Sequence, residues 1–396
     1  MCRCLGEYNM YLDKVDEMIL NGEYGEAKRI ALRIIVAIGE VLGAEKLIPV
    51  SHAHISGISY FNIGDAGLSF LEEMLVKGAK ANIFTTANPF SIVMHEDFIK
   101  YYKSDVVEKQ RKIIEILVKI GIAPNSFTCI PYKIRKPVYG EHVAWAESSA
   151  VIYANSILGI YTNRESGISS LMASIIGKTY YAGMHIDENR KPEMHIIVKE
   201  DLKTISFASI LGLYIGQISK GIPFINIKIA VEDGIYRDLI LRSLLSSIAT
   251  TSDLPLAIIK NVTPTAKYKD VSSLERIEIE FKDVKIFIEE KCSNMLFLGC
   301  PHMTLEEAEF ILNTINLENI EKLGIEKILI AIPLQDNNKF FIRKRKNIEI
   351  QYLPGMCPVV SDLIKANIHS LATVHGKALY YIPKLARAKS CMMNIV

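Results

Sequence analysis

Residues 145–165 read WAESSAVIYANSILGIYTNRE, and this stretch organises the interpretation of the whole chain. From Ala146 to Leu158, small and apolar residues recur at helical spacing, which predicts a helix that ends at Gly159. Directly afterwards, residues 162–165 place a hydroxyl, an amide, a guanidinium and a carboxylate at consecutive positions. Short motifs of this kind also occur by chance. Spacing alone therefore leaves two interpretations open, a solvated helix end and a binding site.

Strand and helix patterns alternate on both sides of this stretch. The order predicts an α/β protein and argues against a β-sandwich. At 396 residues the chain is longer than one simple core usually holds. We therefore expect two or three α/β lobes, at about residues 1–130, 131–270 and 271–396. Two helices are predicted in 8–43, separated at Asn21-Gly22, and further helices in 68–77, 105–120, 167–177, 204–219, 237–249 and 304–316. Strands are predicted in 47–50, 82–86, 194–198, 222–229, 254–259 and 327–332, and three closely spaced strands in 272–300.

The charge balance excludes several classes of partner. Lys and Arg number 46 against 44 Asp and Glu, a net charge of +2, so no global electrostatic attraction favours nucleic acid. The N-terminus lacks the apolar segment of a secretory signal. The longest uncharged run, residues 204–219, is too short and too rich in Ser, Gly and Gln to span a bilayer. We therefore expect a cytoplasmic protein without a nucleic-acid or membrane partner.

Three of the seven cysteines share a local pattern. Cys129, Cys300 and Cys357 each have a proline one or two positions later, which keeps the chain extended and places the thiol where a strand meets a loop. Three interpretations fit such dispersed thiols. One is a catalytic thiol at Cys300 with His302 as base. The others are a zinc site completed by His54 or His302, and an iron–sulfur cluster with one open iron that acts as a Lewis acid.

Two further polar positions follow predicted strands. His52 and His54 alternate in an extended segment and are expected on the same face, as a metal pair, an acid/base or substrate-binding pair, or a polar strand end. Asn88 follows the strand at 82–86 and precedes a proline. A residue at that position places its amide at the carboxyl edge of a sheet, where α/β proteins bind ligands.

Several of these stretches together resemble one family. The segments HAHISGISYFNIGDAG (52–67), TCIPY (128–132), WAESSAVIYANSILG (145–159), TNRE (162–165), GCPH (299–302) and Cys357-Pro358 are similar, in content and order, to the aconitase X family. The resemblance spans nearly the whole chain. It implies aconitase-like three-layered α/β domains and a [4Fe–4S] cluster, or its [3Fe–4S] form on recovery, with Cys129, Cys300 and Cys357 as ligands.

The resemblance also implies a function and a partner. Members of the family are hydro-lyases: archaeal ones dehydrate (R)-mevalonate 5-phosphate to trans-anhydromevalonate 5-phosphate for isoprenoid synthesis, and bacterial ones dehydrate cis-3-hydroxy-L-proline. We expect the first activity, with the second as the alternative and a non-catalytic scaffold without the cluster as an alternative of another class. The swivel domain of archaeal members is a separate small subunit, so a heterodimer or heterotetramer is expected.

Site roles are suggested by chemistry and by the resemblance together. Arg164 is expected to hold a carboxylate or phosphate of a small phosphorylated hydroxy acid through two hydrogen bonds. Glu147 or His54 is expected to act in proton transfer. Glu147 and Asn155 are eight positions apart, just over two helical turns, and are expected on one inward face. The remaining expected substrate contacts are Ser59, Asn88, Thr162, Asn163, Glu165 and Lys377.

Overall fold

The structure is a computed structural model that describes residues 10–92, 94–264, 271–284, 293–334 and 340–394. Its helices are α1 (Lys14–Leu20), α2 (Glu26–Val41), α3 (Tyr60–Val76), α4 (Glu96–Ile99), α5 (Ser104–Ile120), α6 (Ser148–Tyr153), α7 (Gly167–Ile176), α8 (Ile205–Ile218), α9 (Ile235–Thr251), α10 (Phe281–Val284), α11 (Leu305–Thr314), α12 (Leu317–Lys322) and α13 (Gly376–Tyr381). Its strands are β1 (Leu47–Pro49), β2 (His52–Ile55), β3 (Phe84–Ala87), β4 (Ala144–Trp145), β5 (Lys178–Tyr180), β6 (Met194–Val198), β7 (Pro223–Asn226), β8 (Ile258–Ile259), β9 (Glu275–Ile279), β10 (Met295–Leu298), β11 (Lys327–Ile332), β12 (Phe341–Arg345), β13 (Ile348–Pro354), β14 (Ser370–Thr373) and β15 (Lys389–Met392).

The predicted alternation of strands and helices is confirmed. In the described ranges the strands form a β3-β2-β4 sheet, a β8-β7-β6-β9 sheet, a β12-β13-β11-β10-β14-β15 sheet and a β1-β5 pair. The first two sheets are parallel, and the third is parallel except at β12. Of the three strands expected in 272–300, β9 and β10 are present, helix α10 follows β9, and residues 285–292 lie outside the described residues. The lobe boundaries near 130 and 270 stay predictions.

The third sheet is the middle layer of the fold. Side chains of β10 and β11 alternate between two apolar clusters, as the twofold repeat of a strand requires. Leu296 and Ile330 pack into a cluster that contains α8 and α9, whereas Phe297 and Leu329 pack into one that contains α2 and α7. Both faces of this sheet are therefore covered, which is the usual condition of a parallel sheet. Within the described residues, no helix is long and apolar enough to cross a membrane.

The stretch at 145–165 differs in detail from its prediction. Helix α6 covers only Ser148–Tyr153, and a π-helical turn, Ala154–Leu158, comes after it before Gly159 ends the element in the left-handed region at φ 66°. Glu147 is the N-cap rather than a helical residue. A π turn inserts one extra residue per turn and rotates the residues after it about the helix axis. The helical-face argument that placed Glu147 and Asn155 side by side therefore fails.

Candidate active site

The carboxyl ends of two parallel sheets meet at one place. Asn88 and Glu147 follow strands β3 and β4, and Cys300, Cys357 and Lys377 follow β10, β13 and β14. The two edges are joined at Phe90, whose N–H donates to the Gly355 carbonyl at 2.9 Å and whose carbonyl accepts from the Cys357 N–H at 3.0 Å. Binding sites in α/β proteins lie at such edges.

A partly enclosed pocket occupies this junction. The cysteines Cys129, Cys300 and Cys357 are free, and all three line it. Gly299 precedes Cys300 with φ 95°, and a Cβ there would lie 2.4 Å from the Ala331 carbonyl oxygen, so only glycine fits at this turn. The full lining is Asn88, Pro89, Cys129, Glu147, Ser149, Gly299, Cys300, Pro301, Cys357, Val359, Val360 and Lys377.

The environment of the three thiols favours their neutral form. Burial raises the pKa of Cys129 and Cys300 well above its usual value and that of Cys357 to about 11, while the nearby Lys377 cation acts in the opposite direction. A thiolate in this pocket therefore needs further positive charge. Bound iron would supply it, because coordination deprotonates a thiol.

The donor set fits a cluster better than a single ion. Among the described residues, no group of three or more His, Cys, Asp or Glu side chains converges closely enough to hold one metal ion. Each cysteine of an iron–sulfur cluster binds a different iron, so its ligands need not converge on one point. Cys129, Cys300 and Cys357 are the residues that would hold such a group.

The histidines are not available for the other two interpretations. The ring of His302 is bonded at both nitrogens, Nδ1 with the Thr128 hydroxyl at 3.2 Å and Nε2 with the Met356 carbonyl at 3.1 Å. His54 is likewise bonded at both nitrogens, to Thr86 at 2.7 Å and Asn88 at 2.8 Å. Neither ring has a free lone pair for zinc, and His302 has none to activate a thiol at Cys300. Neither the zinc site nor the catalytic thiol therefore has its histidine.

Glu147 and Lys377 form a largely enclosed ion pair. The Lys377 ammonium donates to Glu147 Oε1, and the two side chains are 14% and 11% exposed. Burial by itself raises the pKa of Glu147, but the Lys377 charge and hydrogen bond, together with hydrogen bonds from Asn88 and Ser149, outweigh it and lower the pKa to about 2. Burial lowers the pKa of Lys377, and the Glu147 charge more than reverses this. Both groups are therefore charged.

A chain of hydrogen bonds leads from Glu147 into the first sheet. The Asn88 side-chain N–H donates to Glu147 Oε2 at 2.7 Å, and its Oδ1 accepts from His54 Nε2 at 2.8 Å. Since Nε2 carries the proton, His54 Nδ1 accepts from the Thr86 hydroxyl, which also bonds to His52 at 3.0 Å. Burial lowers the pKa of His54 to about 4, so the ring is neutral. The two histidines share a hydroxyl instead of forming a metal pair.

Arg164 and Asn155 do not face the pocket. Arg164 is exposed and donates to the Ser252 carbonyl at 2.9 Å. Asn155 is fully buried, donates to the Thr162 carbonyl at 2.9 Å and accepts from Arg190 at 2.8 Å. The π turn has rotated Asn155 towards the loop that comes after it. Its amide therefore braces that loop.

The residues around Arg164 have similar bracing contacts. Thr162 Oγ1 accepts from the Trp145 N–H at 3.0 Å, and Asn163 Oδ1 accepts from the Met184 N–H at 2.8 Å. Glu165 is buried and accepts from Tyr180 at 2.8 Å. We therefore leave the loop from 162 to 165 out of the proposed substrate contacts.

Other pocket contacts were not anticipated. Ser149 donates to Glu147 at 3.0 Å, and its place two residues after an N-cap carboxylate was a readable signal. Ser59, which was expected among the substrate contacts, is the N-cap residue of α3 and is not among the lining residues; its hydroxyl donates to the carbonyl of Val360, which lines the pocket, at 3.1 Å. The contact of Lys377 with Glu147 had no local signal, because 230 positions separate them.

Comparison with known proteins gives a consistent result. The chain is 37% identical to the phosphomevalonate dehydratase large subunit of Thermococcus kodakarensis, over 94% of this chain and 95% of the relative. It is 35% identical to that of Methanocaldococcus jannaschii, with 96% and 97% covered. The cis-3-hydroxy-L-proline dehydratase of Pseudomonas aeruginosa is 32% identical over 64% of this chain and 43% of the relative. These relatives are dehydratases, which agrees with the expected enzyme class.

A solved structure and two family models point to the same family. The crystal structure of Thermococcus kodakaraensis aconitase X in its holo form superposes with a TM-score of 0.83 at 33% identity, covering 97% of both chains. The family models described as the aconitase X first domain and second domain match residues 9–188 and 192–289. The family expected from the sequence is thereby confirmed: the chain belongs to the aconitase X family.

Proposed function

We propose that this chain is the large subunit of a dehydratase that converts (R)-mevalonate 5-phosphate to trans-anhydromevalonate 5-phosphate. The observation that carries the proposal is the pocket itself, where three free cysteines lie beside a charged Lys377–Glu147 pair. The relatives that match this chain along almost their whole length bear the name of that activity. An iron–sulfur cluster on Cys129, Cys300 and Cys357 would supply the Lewis acid that assists departure of the hydroxyl.

Lys377 is the cation that this chain offers to the substrate carboxylate. Among the lining residues given above, Lys377 is the one with a lysine or arginine side chain. A substrate carboxylate that binds Lys377 competes directly with Glu147. Substrate binding and the state of Glu147 are therefore coupled.

That competition gives Glu147 its proposed role. Burial is the largest single influence on the pKa of Glu147 and raises it, and the charge and hydrogen bond of Lys377 are the main influences that lower it. When the substrate carboxylate takes over Lys377, the Glu147 carboxylate loses its cation and becomes a stronger base. Glu147 would then take the proton on the carbon next to the substrate carboxylate at Oε1, while the hydroxyl departs from the neighbouring carbon. The proton and the hydroxide together account for the water that is lost.

Asn88 and His54 hold Glu147 for this step. The Asn88 amide fixes Oε2 at 2.7 Å, and His54 fixes the Asn88 amide at 2.8 Å. Oε1, which accepts from Lys377 and Ser149, is then the oxygen that can exchange the ammonium for another partner. Positioning by such supporting hydrogen bonds is a general feature of preorganised sites.

We further propose a small swivel-domain subunit as partner. The relatives whose length this chain matches are themselves named large subunits. A second subunit over the carboxyl edges would close the pocket and exclude water. The phosphate of the substrate would then bind to groups outside this pocket's lining.

The decisive experiment combines the chain and its small subunit under anaerobic conditions after reconstitution with iron and sulfide. We expect loss of water from mevalonate 5-phosphate and no turnover of cis-3-hydroxy-L-proline. Turnover of hydroxyproline alone would favour the alternative activity suggested by the more distant relatives. A colourless, iron-free and inactive complex would favour the scaffold interpretation and reject the proposed function.

A further inference from the structure

His302 connects all three cysteine-bearing loops. It lies two residues after Cys300 and is fully buried. Its backbone N–H donates to Cys129 Sγ at 3.2 Å, and its carbonyl accepts from Arg242 at 3.3 Å. Its ring bonds to Thr128, the neighbour of Cys129, and to the carbonyl of Met356, the neighbour of Cys357. Every polar group of this residue therefore has a partner.

The partners fix the ring in one tautomer. A carbonyl only accepts, so Nε2 carries the proton that is donated to Met356. In the neutral ring, Nδ1 must then accept from the Thr128 hydroxyl. The Thr128 hydroxyl oxygen can also accept a hydrogen bond, and it accepts one from the N–H of Ile130 at 3.2 Å. Each hydrogen-bond donor around the ring therefore faces an acceptor. A flipped or protonated ring would lose at least one of these hydrogen bonds.

We infer that His302 is a positioning residue that sets the spacing of the three cysteine loops, so that the thiols are held in place before the cluster binds. This inference deepens the proposed function and rests on it. The contacts of a residue behind the ligands typically affect metal affinity by about 10- to 100-fold when they are removed. The three loops come from distant parts of the chain. His302 lies on the Cys300 loop, its ring bonds to the other two loops at Thr128 and Met356, and its backbone N–H donates to Cys129.

The test uses two variants, each of which removes a different hydrogen bond of the His302 ring. Thr128→Val removes the hydroxyl that donates to Nδ1 and keeps the shape of the side chain. His302→Asn keeps an acceptor near the position of Nδ1 and loses the donor to Met356. Thr128→Ser retains the hydroxyl and serves as the conservative rescue. His195→Asn, on β6 in another sheet, is the matched histidine control.

Three readouts are compared on the full chain. Iron and sulfide per chain and the visible spectrum are measured after reconstitution, and the rate of iron loss to a chelator is followed. The alkylation rate of each cysteine is measured by mass spectrometry on the iron-free chain. We expect iron loss on the order of tenfold faster for Thr128→Val and His302→Asn. Their Cys129 should also be alkylated faster, with Thr128→Ser and His195→Asn close to wild type.

The outcomes separate this inference from the proposed function. If the wild type binds a cluster and both variants retain it as firmly, the inference is wrong. A wild type that binds no iron rejects the proposed cofactor, and the alkylation rates then decide the inference alone: faster reaction of Cys129 in the variants supports it, and unchanged rates overturn it. Should His302→Asn not fold, Thr128→Val carries the same comparison with Thr128→Ser.

Discussion

Lys377 and Glu147 follow strands of different sheets and meet as an ion pair in the pocket that the cysteines line. Lys377 lies in the first turn of α13, after the third sheet, and Glu147 caps α6, after the first. The pair therefore connects the two halves of the proposed site. It also leaves each charge dependent on the other, because removal of one partner strands a buried charge.

A double-mutant cycle measures this dependence. Lys377→Met and Glu147→Gln should each lower the free energy of unfolding of the iron-free chain by about 3–5 kcal/mol, since each breaks a mostly buried pair. The double variant should lose clearly less than the sum. Urea unfolding followed by circular dichroism gives the three values. Additive losses would show that the two charges do not interact in solution.

The cysteine assignment makes a second prediction. Cys129→Ser, Cys300→Ser and Cys357→Ser should each reduce bound iron and abolish dehydration, because a hydroxyl is a poor replacement for a thiolate ligand. Cys2→Ser applies the same chemical change outside the described residues and should retain both. Iron analysis and the anaerobic assay with the small subunit check this. Full cluster content in any of the three variants would remove that cysteine from the ligand set.

The sequence could predict the layers because they depend on local periodicity. Apolar segments predicted β6 and β11 at the residues where the structure has them, and the position of Asn88 after the strand predicted at 82–86 put its amide at the carboxyl edge. The three cysteines meet in one pocket for the same reason, since each follows a strand or a short extended segment. Their proline neighbours made that arrangement readable.

The contacts across the pocket could not be read in the same way. Asn155 was expected to face inward by counting helical turns, and the π turn at Ala154–Leu158 changes that count. Arg164 was expected to bind substrate because of its charge, and the structure directs it to a backbone carbonyl on the surface. Tertiary contacts determine the direction of both side chains. A motif identifies which residues are polar, and only the fold shows where they point.

The bracing role of Asn155 predicts a loss of stability. Asn155→Ala removes the hydrogen bonds that Asn155 donates to the Thr162 and Pro255 carbonyls and the one that it accepts from Arg190. We expect the free energy of unfolding to fall by about 2–4 kcal/mol, as for other buried polar groups that lose several partners. The iron content at low temperature should change little. A stable variant with impaired substrate binding would instead restore Asn155 to the substrate contacts.

The buried neutral His54 predicts a dependence of stability on pH. Burial lowers its pKa from 6.5 to about 4, so between these values the unfolded chain binds more protons than the folded chain. The contribution of the neutral ring is therefore complete above pH 6.5 and is lost as the pH falls towards 4. A shift of this size corresponds to about 3 kcal/mol in total.

His54→Asn isolates this contribution from that of other histidines. The wild-type chain should be more stable than the variant at pH 7.5, because the variant loses hydrogen bonds to Thr86 and Asn88. Between pH 7.5 and pH 5 the difference should narrow by about 2 kcal/mol, since only the wild type must keep a neutral ring in that range. Urea unfolding of both iron-free chains at the two pH values measures the change. A difference that stays constant would mean that His54 titrates normally in the folded chain, and that its Nδ1 does not accept from the Thr86 hydroxyl as the neutral ring would.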